Sequence, residues 1–144
     1  MKLLDANILL YAHDSSSPHH IACRDWLQAA LNADEPVGIP WQTSLAFVRI
    51  ATNPHAVRTP LAVGKACAIV SALFERPCVV LVEPGEQFWP TFRRLVAQAR
   101  LRGPGVMDAV LAALAVEQGA TVCSADQDFR RFEGLSVLDP TEAS

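Results

Sequence analysis

Short apolar runs alternate with helix-like stretches along the chain, and this alternation restricts the fold more than any other feature of the sequence. Five runs predict strands, namely residues 2–4, 37–40, 78–82, 120–123 and 135–138. Strands that alternate with helices pair in parallel and carry helices on both faces of the sheet. The sequence therefore predicts an α/β fold of three layers around a central parallel sheet of four to five strands.

The stretches between these runs repeat apolar residues at helical spacing. The predicted helices are residues 8–12, 18–32, 41–52, 61–74, 86–100, 109–117 and 126–132. Pro54 and Gly119 end two of them, because proline disfavours a helical residue before it and glycine commonly ends a helix. Residues 109–117 are almost uniformly apolar, so we expect that helix to be buried.

The length and composition fit one globular domain spanning residues 1–144. Of the 144 residues 51% are hydrophobic and 19% are charged, which is enough apolar material for a core. Asp5 and Asn7 interrupt the apolar N-terminal run, so neither a signal peptide nor a membrane-spanning helix is supported, and we expect a cytoplasmic protein. The four cysteines never form a C-x-x-C pair, which predicts packed, reduced thiols.

The net charge of −3 would ordinarily argue against a protein that binds nucleic acid. The distribution of the charges weakens that objection, because the arginines are concentrated in two stretches. Arg49 and Arg58 flank one stretch, and the other holds Arg93, Arg94, Arg100 and Arg102. Charge alone indicates a solvated helix face more often than a phosphate contact.

Acidic residues follow two of the predicted strands and begin the buried helix. Asp5 comes directly after the first strand, and Asp126 and Asp128 come after the strand at 120–123. In open parallel sheets the functional crevice lies outside the carboxyl ends of the strands. Asp108 begins the apolar helix that leads to that strand. Helix capping is the alternative role for Asp108, Asp126 and Asp128.

Carboxylates that converge without a matching Lys or Arg nearby in sequence repel one another unless a cation neutralises them. Hard oxygen ligands select Mg²⁺ or Mn²⁺. We therefore predict that Asp5, Asp108, Asp126 and, as a fourth ligand, Asp128 hold a divalent ion. Asn7 either orients Asp5 through a hydrogen bond or caps the helix that follows, and we slightly favour capping.

Four segments in the same order along the chain resemble the PIN-domain family, and more narrowly the VapC toxins of bacterial type II toxin–antitoxin systems. They are residues 4–7 (LDAN), 47–54 (FVRIATNP), 107–109 (MDA) and 124–129 (SADQDF). The resemblance covers essentially the whole chain. It implies a single PIN domain at residues 1–144 with a PIN sheet fold, and a homodimer inhibited by a VapB-type antitoxin.

The resemblance also implies an endoribonuclease dependent on Mg²⁺ or Mn²⁺, and VapC toxins often attack stem-loops of tRNA or ribosomal RNA. Asp5, Asp108 and Asp126 would be the catalytic acids. Arg49 lies on the helix that normally lines a PIN site, so we predict that it contacts a phosphate or orients a catalytic acid. The predicted supporting residues are Asn7, Ser124 and Arg49.

One departure from the family concerns a fourth acid. Many PIN domains carry a Glu on the helix after the second strand, and this chain has Ala46 at the corresponding position. Glu117 cannot replace it, because nine residues along a helix place it about 13 Å from Asp108. Glu117 is instead expected to have a structural partner near the helix end. The site is therefore expected to hold one tightly bound ion before RNA arrives.

Two other functions remain open from the sequence. A phosphatase of the haloacid-dehalogenase type also places an Asp after its first strand, but it needs a second Asp two residues later, where this chain has Asn7. A PIN scaffold that has lost an acid and acts as a binding module is supported by the missing Glu at Ala46.

Overall fold

The computed structural model describes residues 1–142 and contains one parallel sheet of five strands with helices on both faces. The strands are β1 (Lys2–Leu4), β2 (Val37–Pro40), β3 (Val79–Val82), β4 (Thr121–Cys123) and β5 (Ser136–Leu138). Their order across the sheet is β3-β2-β1-β4-β5, and every neighbouring pair is parallel. The predicted three-layer α/β/α architecture is confirmed, and the sheet has five strands.

Six α-helices connect the strands in the predicted places. They are α1 (Ala6–Ala12), α2 (His20–Asn32), α3 (Trp41–Ala51), α4 (Val63–Phe74), α5 (Phe88–Ala99) and α6 (Val106–Gln118). The segment predicted as a helix at 126–132 is a 3₁₀ turn, Gln127–Arg131, which we call the acidic turn. Because α6 begins at Val106, Asp108 lies inside its first turn and Gly105 is at the N-cap position. The alternative role of Asp108 as a helix cap is therefore wrong.

The central strand β1 divides the core into two parts. Leu3 and Leu4 are both fully buried, and successive side chains of a strand point to opposite faces. Leu4 packs with residues of α1 to α4, whereas Leu3 packs with residues of α5 and α6. A strand buried on both faces is the expected property of the middle of a parallel sheet.

The helix α6 is buried against the sheet and α5, as its sequence predicted. Residues 111–115 are all buried. At its far end, the Glu117 carboxylate accepts hydrogen bonds from the backbone N–H groups of Gly85 (2.8 Å) and Gln87 (3.0 Å). Glu117 therefore holds the start of α5, which confirms the structural role predicted for it.

Two further properties of residues 1–142 bear on the chemistry of the chain. None of the helices described there combines the length and the apolar character that crossing a bilayer requires. All four cysteines are free thiols, and burial raises the pKa of Cys123 to about 12. The cysteines are therefore reduced, as predicted, and the Cys123 thiol is a packing group rather than a nucleophile.

A buried hydroxyl ties α3 to the end of β1, next to Asp5. Thr43 Oγ1 donates to the carbonyl oxygen of Leu4 at 2.7 Å, whereas the buried Ser44 Oγ on the next residue has no hydrogen-bond partner within residues 1–142. We expect Thr43→Val to lower the free energy of unfolding by about 1–2 kcal/mol, because the carbonyl loses its donor. Ser44→Ala is the matched control and should cost less than about 0.5 kcal/mol. Urea denaturation of both variants measures the difference, and equal effects would contradict it.

Candidate functional site

The register of β1 and β4 places the first polar residues after these strands side by side. Leu4 pairs with Cys123, so Asp5 and Ser124 are neighbours at the carboxyl edge of the sheet. Ser124 Oγ donates to Asp5 Oδ2 at 2.7 Å, and the backbone N–H of Ala6 donates to Asp5 Oδ1 at 2.7 Å. The carboxylate of Asp5 is thereby fixed by both strands and by the start of α1.

The side chain of Asn7 completes this arrangement. Its Nδ2 donates to Asp5 Oδ2 and to Ser124 Oγ, each at 3.1 Å, and its Oδ1 accepts from the backbone N–H of Ala125 at 3.2 Å. Asp5 occupies the N-cap position of α1 and accepts from Ala6, so the slightly favoured prediction that Asn7 caps this helix is wrong. Asn7 lies within the helix, where its amide can reach Asp5 and the residues that follow β4. Its role is the other one considered, the orientation of Asp5.

The acidic turn brings two more carboxylates to the same edge. Asp126 caps this turn, because its Oδ1 accepts from the backbone N–H of Asp128 at 2.9 Å, and its own N–H donates to Ser124 Oγ at 3.0 Å. Asp126 therefore has the capping role that was considered for it, and it also belongs to a cluster of acids. Carboxylate oxygens of Asp108, Asp126 and Asp128 lie within 4.8 Å of one another. Asp5 lies outside this set of three.

The carboxylates influence one another electrostatically. Burial raises the pKa of Asp5, hydrogen bonds from Ser124 and Ala6 oppose the rise, and the charge of Asp126 adds to it. Burial also raises the pKa of Asp108, and the charges of Asp126, Asp5 and Asp128 contribute in the same direction. Since ionising several acids in one place is unfavourable, the donor set suits a bound cation. An all-carboxylate set fits a hard divalent ion.

A cleft of about 600 Å³ opens beside these acids. Asp5 and Asp108 line it together with Gln42, Ala46 and Arg49 of α3. The walls are part polar and part apolar, with Met107 and Phe129 among the apolar residues. Such a cleft can admit an extended polar chain next to the acids.

Comparison with known proteins identifies the family. A family model described as PIN domain matches residues 2–135. The chain belongs to the PIN-domain family. Ribonuclease VapC37 from Mycobacterium tuberculosis is 41% identical over 140 residues, which are 97% of this chain and 97% of that protein. Ribonuclease VapC43 from the same species is 36% identical over 142 residues, which are 99% of this chain and 97% of that protein. The chain is therefore also a member of the VapC family, as its motifs predicted.

Solved structures agree with this assignment at the level of the fold. The VapBC-1 structure from nontypeable Haemophilus influenzae has a TM-score of 0.69 at 20% identity and covers 98% of this chain and 98% of that one. The VapBC2 structure from Rickettsia felis, bound to a DNA fragment, also has a TM-score of 0.69, at 16% identity, and covers 96% of this chain and 97% of that one. At these identities the similarity establishes the PIN sheet fold.

The α3 wall of this PIN domain carries no acid. Ala46, the residue predicted to stand in place of the missing Glu, lines the same cleft as Asp5. Arg49 lines the same wall and is exposed, and within residues 1–142 no ion pair joins it to an acid. The orientation of a catalytic acid by Arg49 is thus not seen, and its contact with a phosphate stays a prediction.

Arg131 is the site residue that the sequence reasoning missed. Its guanidinium lies 3.0 Å from Asp108 Oδ2 and 3.8 Å from Asp128 Oδ2. We expected that no Lys or Arg close to these acids in sequence would balance their negative charge. That expectation is therefore wrong. The signal was present, since residues three apart on a helical turn are neighbours and Arg131 follows Asp128 by three positions.

The raised pKa of Asp108 leads to a prediction about the metal-free protein. A carboxyl group whose pKa rises on folding stabilises the fold below its unfolded pKa, near 3.8, and this contribution is lost as the pH rises through the folded pKa. In EDTA at pH 7 we expect Asp108→Asn to have a higher Tm than the wild type, by about 2 °C. The difference should shrink as the pH falls towards 4. Circular dichroism melts at both pH values test this, and a lower Tm of the variant at pH 7 would contradict it.

Proposed function

We propose that this protein is the toxin of a VapBC-type toxin–antitoxin pair and an endoribonuclease that hydrolyses RNA phosphodiester bonds with Mg²⁺ or Mn²⁺. The observation that carries the proposal is the meeting of Asp5 with the clustered Asp108, Asp126 and Asp128 at the carboxyl edge of a PIN sheet. Close relatives of similar length are named as VapC ribonucleases, which supports the same activity.

In this proposal Asp5, Asp108 and Asp126 are the catalytic acids and metal ligands, and Asp128 is the fourth ligand. When bound, the divalent ion would orient the phosphodiester, lower the pKa of the attacking water and stabilise the leaving oxygen. Asn7 and Ser124 hold the Asp5 carboxylate in a single orientation through three hydrogen bonds among the three side chains.

The chain offers no acid on the α3 side of the cleft, where Gln42 and Ala46 lie. We therefore propose that one ion binds tightly before RNA does. Arg49, on the same wall, is placed to contact a phosphate of the RNA backbone that enters the cleft. Calorimetry that found two tight metal sites without RNA would contradict this stoichiometry.

The proposed partners are a VapB-type antitoxin, a second copy of the chain and an RNA such as tRNA or ribosomal RNA. Solved proteins with this fold are described as VapBC complexes, which supports the antitoxin. We further propose that residues 1–144 act as one PIN domain in the cytoplasm. The four free cysteines suit such a reducing compartment.

The test is RNA cleavage by purified protein freed of its antitoxin. We expect cleavage of tRNA or ribosomal RNA that requires Mg²⁺ or Mn²⁺, is lost in EDTA and returns when the ion is restored. A chromogenic phosphate ester should not be hydrolysed, because Asn7 replaces the second Asp that a phosphatase of the haloacid-dehalogenase type needs.

Two outcomes would overturn the proposal. The absence of any metal-dependent RNA cleavage would favour the binding module. Ester hydrolysis that is lost in Asp5→Asn would favour the phosphatase.

A further inference from the structure

We propose that Arg131 is a built-in counter-cation of the acidic cluster, which offsets part of the negative charge of the cluster in the absence of metal and weakens its affinity for the divalent ion. This inference rests on the proposed function, because it concerns the same metal site. Its starting point is the pair of contacts from the guanidinium to Asp108 Oδ2 (3.0 Å) and Asp128 Oδ2 (3.8 Å). Arg131 thus pairs with two of the three clustered acids.

Contacts on other sides hold the guanidinium in this place. One of its nitrogens lies 3.5 Å from the carbonyl oxygen of Gly105, just before α6, and its carbon lies 5.2 Å from the centre of the Phe132 ring. The side chain is 31% exposed, compared with 48% for that of Arg130, which pairs with Glu142. Arg131 is therefore part of the site, whereas its neighbour is a surface residue.

The charges at the site imply competition between Arg131 and the metal ion. Oxygens of Asp108, Asp126 and Asp128 lie within 4.8 Å of one another, so an ion bound to them would lie a few ångströms from the guanidinium. Like charges at that distance repel by an amount that is appreciable even with strong screening. The ion must therefore bind against this repulsion or displace the side chain.

The backbone that carries the metal ligands is held by contacts that do not involve Arg131. Asp126 Oδ1 accepts from the N–H of Asp128, and the N–H of Asp126 donates to Ser124 Oγ. Asp108 is carried by α6, whose next residues are buried. Removing the guanidinium should therefore remove an opposing charge, free the carboxylate of Asp108 to face an ion and leave the backbone positions of the ligands unchanged. Arg131 would then set the concentration of free Mg²⁺ that the site requires.

The test is calorimetric titration of the full chain with Mn²⁺ alone, without RNA. We expect Arg131→Met to lower the Kd about tenfold, which corresponds to about 1.4 kcal/mol. Methionine keeps an apolar stem against Phe132. Arg130→Met is the matched control, because it removes the same charge one residue away, and its Kd should stay within about twofold of the wild type.

A second neutral variant and a second readout cover the case in which Arg131→Met folds poorly. Arg131→Gln should bind Mn²⁺ more tightly than Arg131→Lys, which keeps the charge. The increase in Tm on adding Mn²⁺ should be larger in both neutral variants than in the wild type, because their metal-free site lacks its counter-cation.

The outcomes separate this inference from the proposed function. Equal Kd values for the wild type and both neutral variants, or weaker binding by the variants, would overturn the role of Arg131 and leave the metal site standing. No binding of Mn²⁺ by any of the proteins would overturn both. Tighter binding by Arg130→Met to the same extent would show a general charge effect and also overturn the inference.

Discussion

Asp108→Asn is expected to reduce metal-dependent RNA cleavage by at least about 1,000-fold, which corresponds to about 4 kcal/mol of transition-state stabilisation. Asparagine has nearly the same shape as aspartate but supplies no negative charge for a divalent ion. Asp108 lies within 4.8 Å of the oxygens of Asp126 and Asp128, so its loss affects the centre of the cluster. Single-turnover cleavage of tRNA at saturating Mg²⁺ measures the effect.

Asp25→Asn is the matched control for this variant. Asp25 also pairs with an arginine at 3.0 Å, Arg24, but it is an exposed residue of α2 and lies outside the cleft. We expect this variant to cleave at the rate of the wild type. Cleavage by Asp108→Asn within about tenfold of the control would show that the cluster is not the catalytic centre. If Asp108→Asn unfolds cooperatively on heating but does not bind Mn²⁺, this result would directly support the role of Asp108 as a metal ligand.

The sequence predicted the fold and the position of the acids because both follow from strand order. Five apolar runs separated by helices leave a parallel sheet as the arrangement that buries them, and the structure has that sheet. Parallel strands end at one edge, so Asp5 after β1 and Ser124 after β4 became neighbours once those strands paired. Ala46, which was predicted to replace the Glu of other PIN domains, lines the cleft together with Gln42 and Arg49, and its correspondence to that Glu stays a prediction.

The predictions that failed concern side-chain contacts, which change when the start of a helix shifts by one or two residues. The capping role favoured for Asn7 failed because Asp5, two residues earlier, already occupies the N-cap position. The helix α6 begins at Val106, so Asp108 lies in its first turn and not at the N-cap position that was considered for it. Arg131 follows Asp128 by three positions, which the sequence did show, but its pairing with Asp108, 23 residues away, depends on the packing of α6 against the acidic turn.

Phe129→Ala is the second change with a large expected effect, because Phe129 is the buried residue of the acidic turn. Phe129 is 2% exposed, packs with Phe132 at 6.2 Å between ring centres and belongs to the same part of the core as Leu111 of α6. Truncating a buried phenylalanine costs about 3–5 kcal/mol, so the Tm should fall by about 10 °C. Since Phe129 directly follows Asp128 in the acidic turn, the loss of its packing should also disturb the position of that ligand, and the affinity for Mn²⁺ should fall.

Two further variants make this prediction specific to burial. Trp89→Ala removes a larger ring that is 60% exposed, and it should cost less than about 1 kcal/mol without changing Mn²⁺ binding. Phe129→Leu refills most of the space and should recover most of the stability. Thermal melts and Mn²⁺ titrations of the three variants test the argument together. If Phe129→Ala were no less stable than Trp89→Ala, or bound Mn²⁺ as the wild type does, the acidic turn would not depend on packing against α6 for its position.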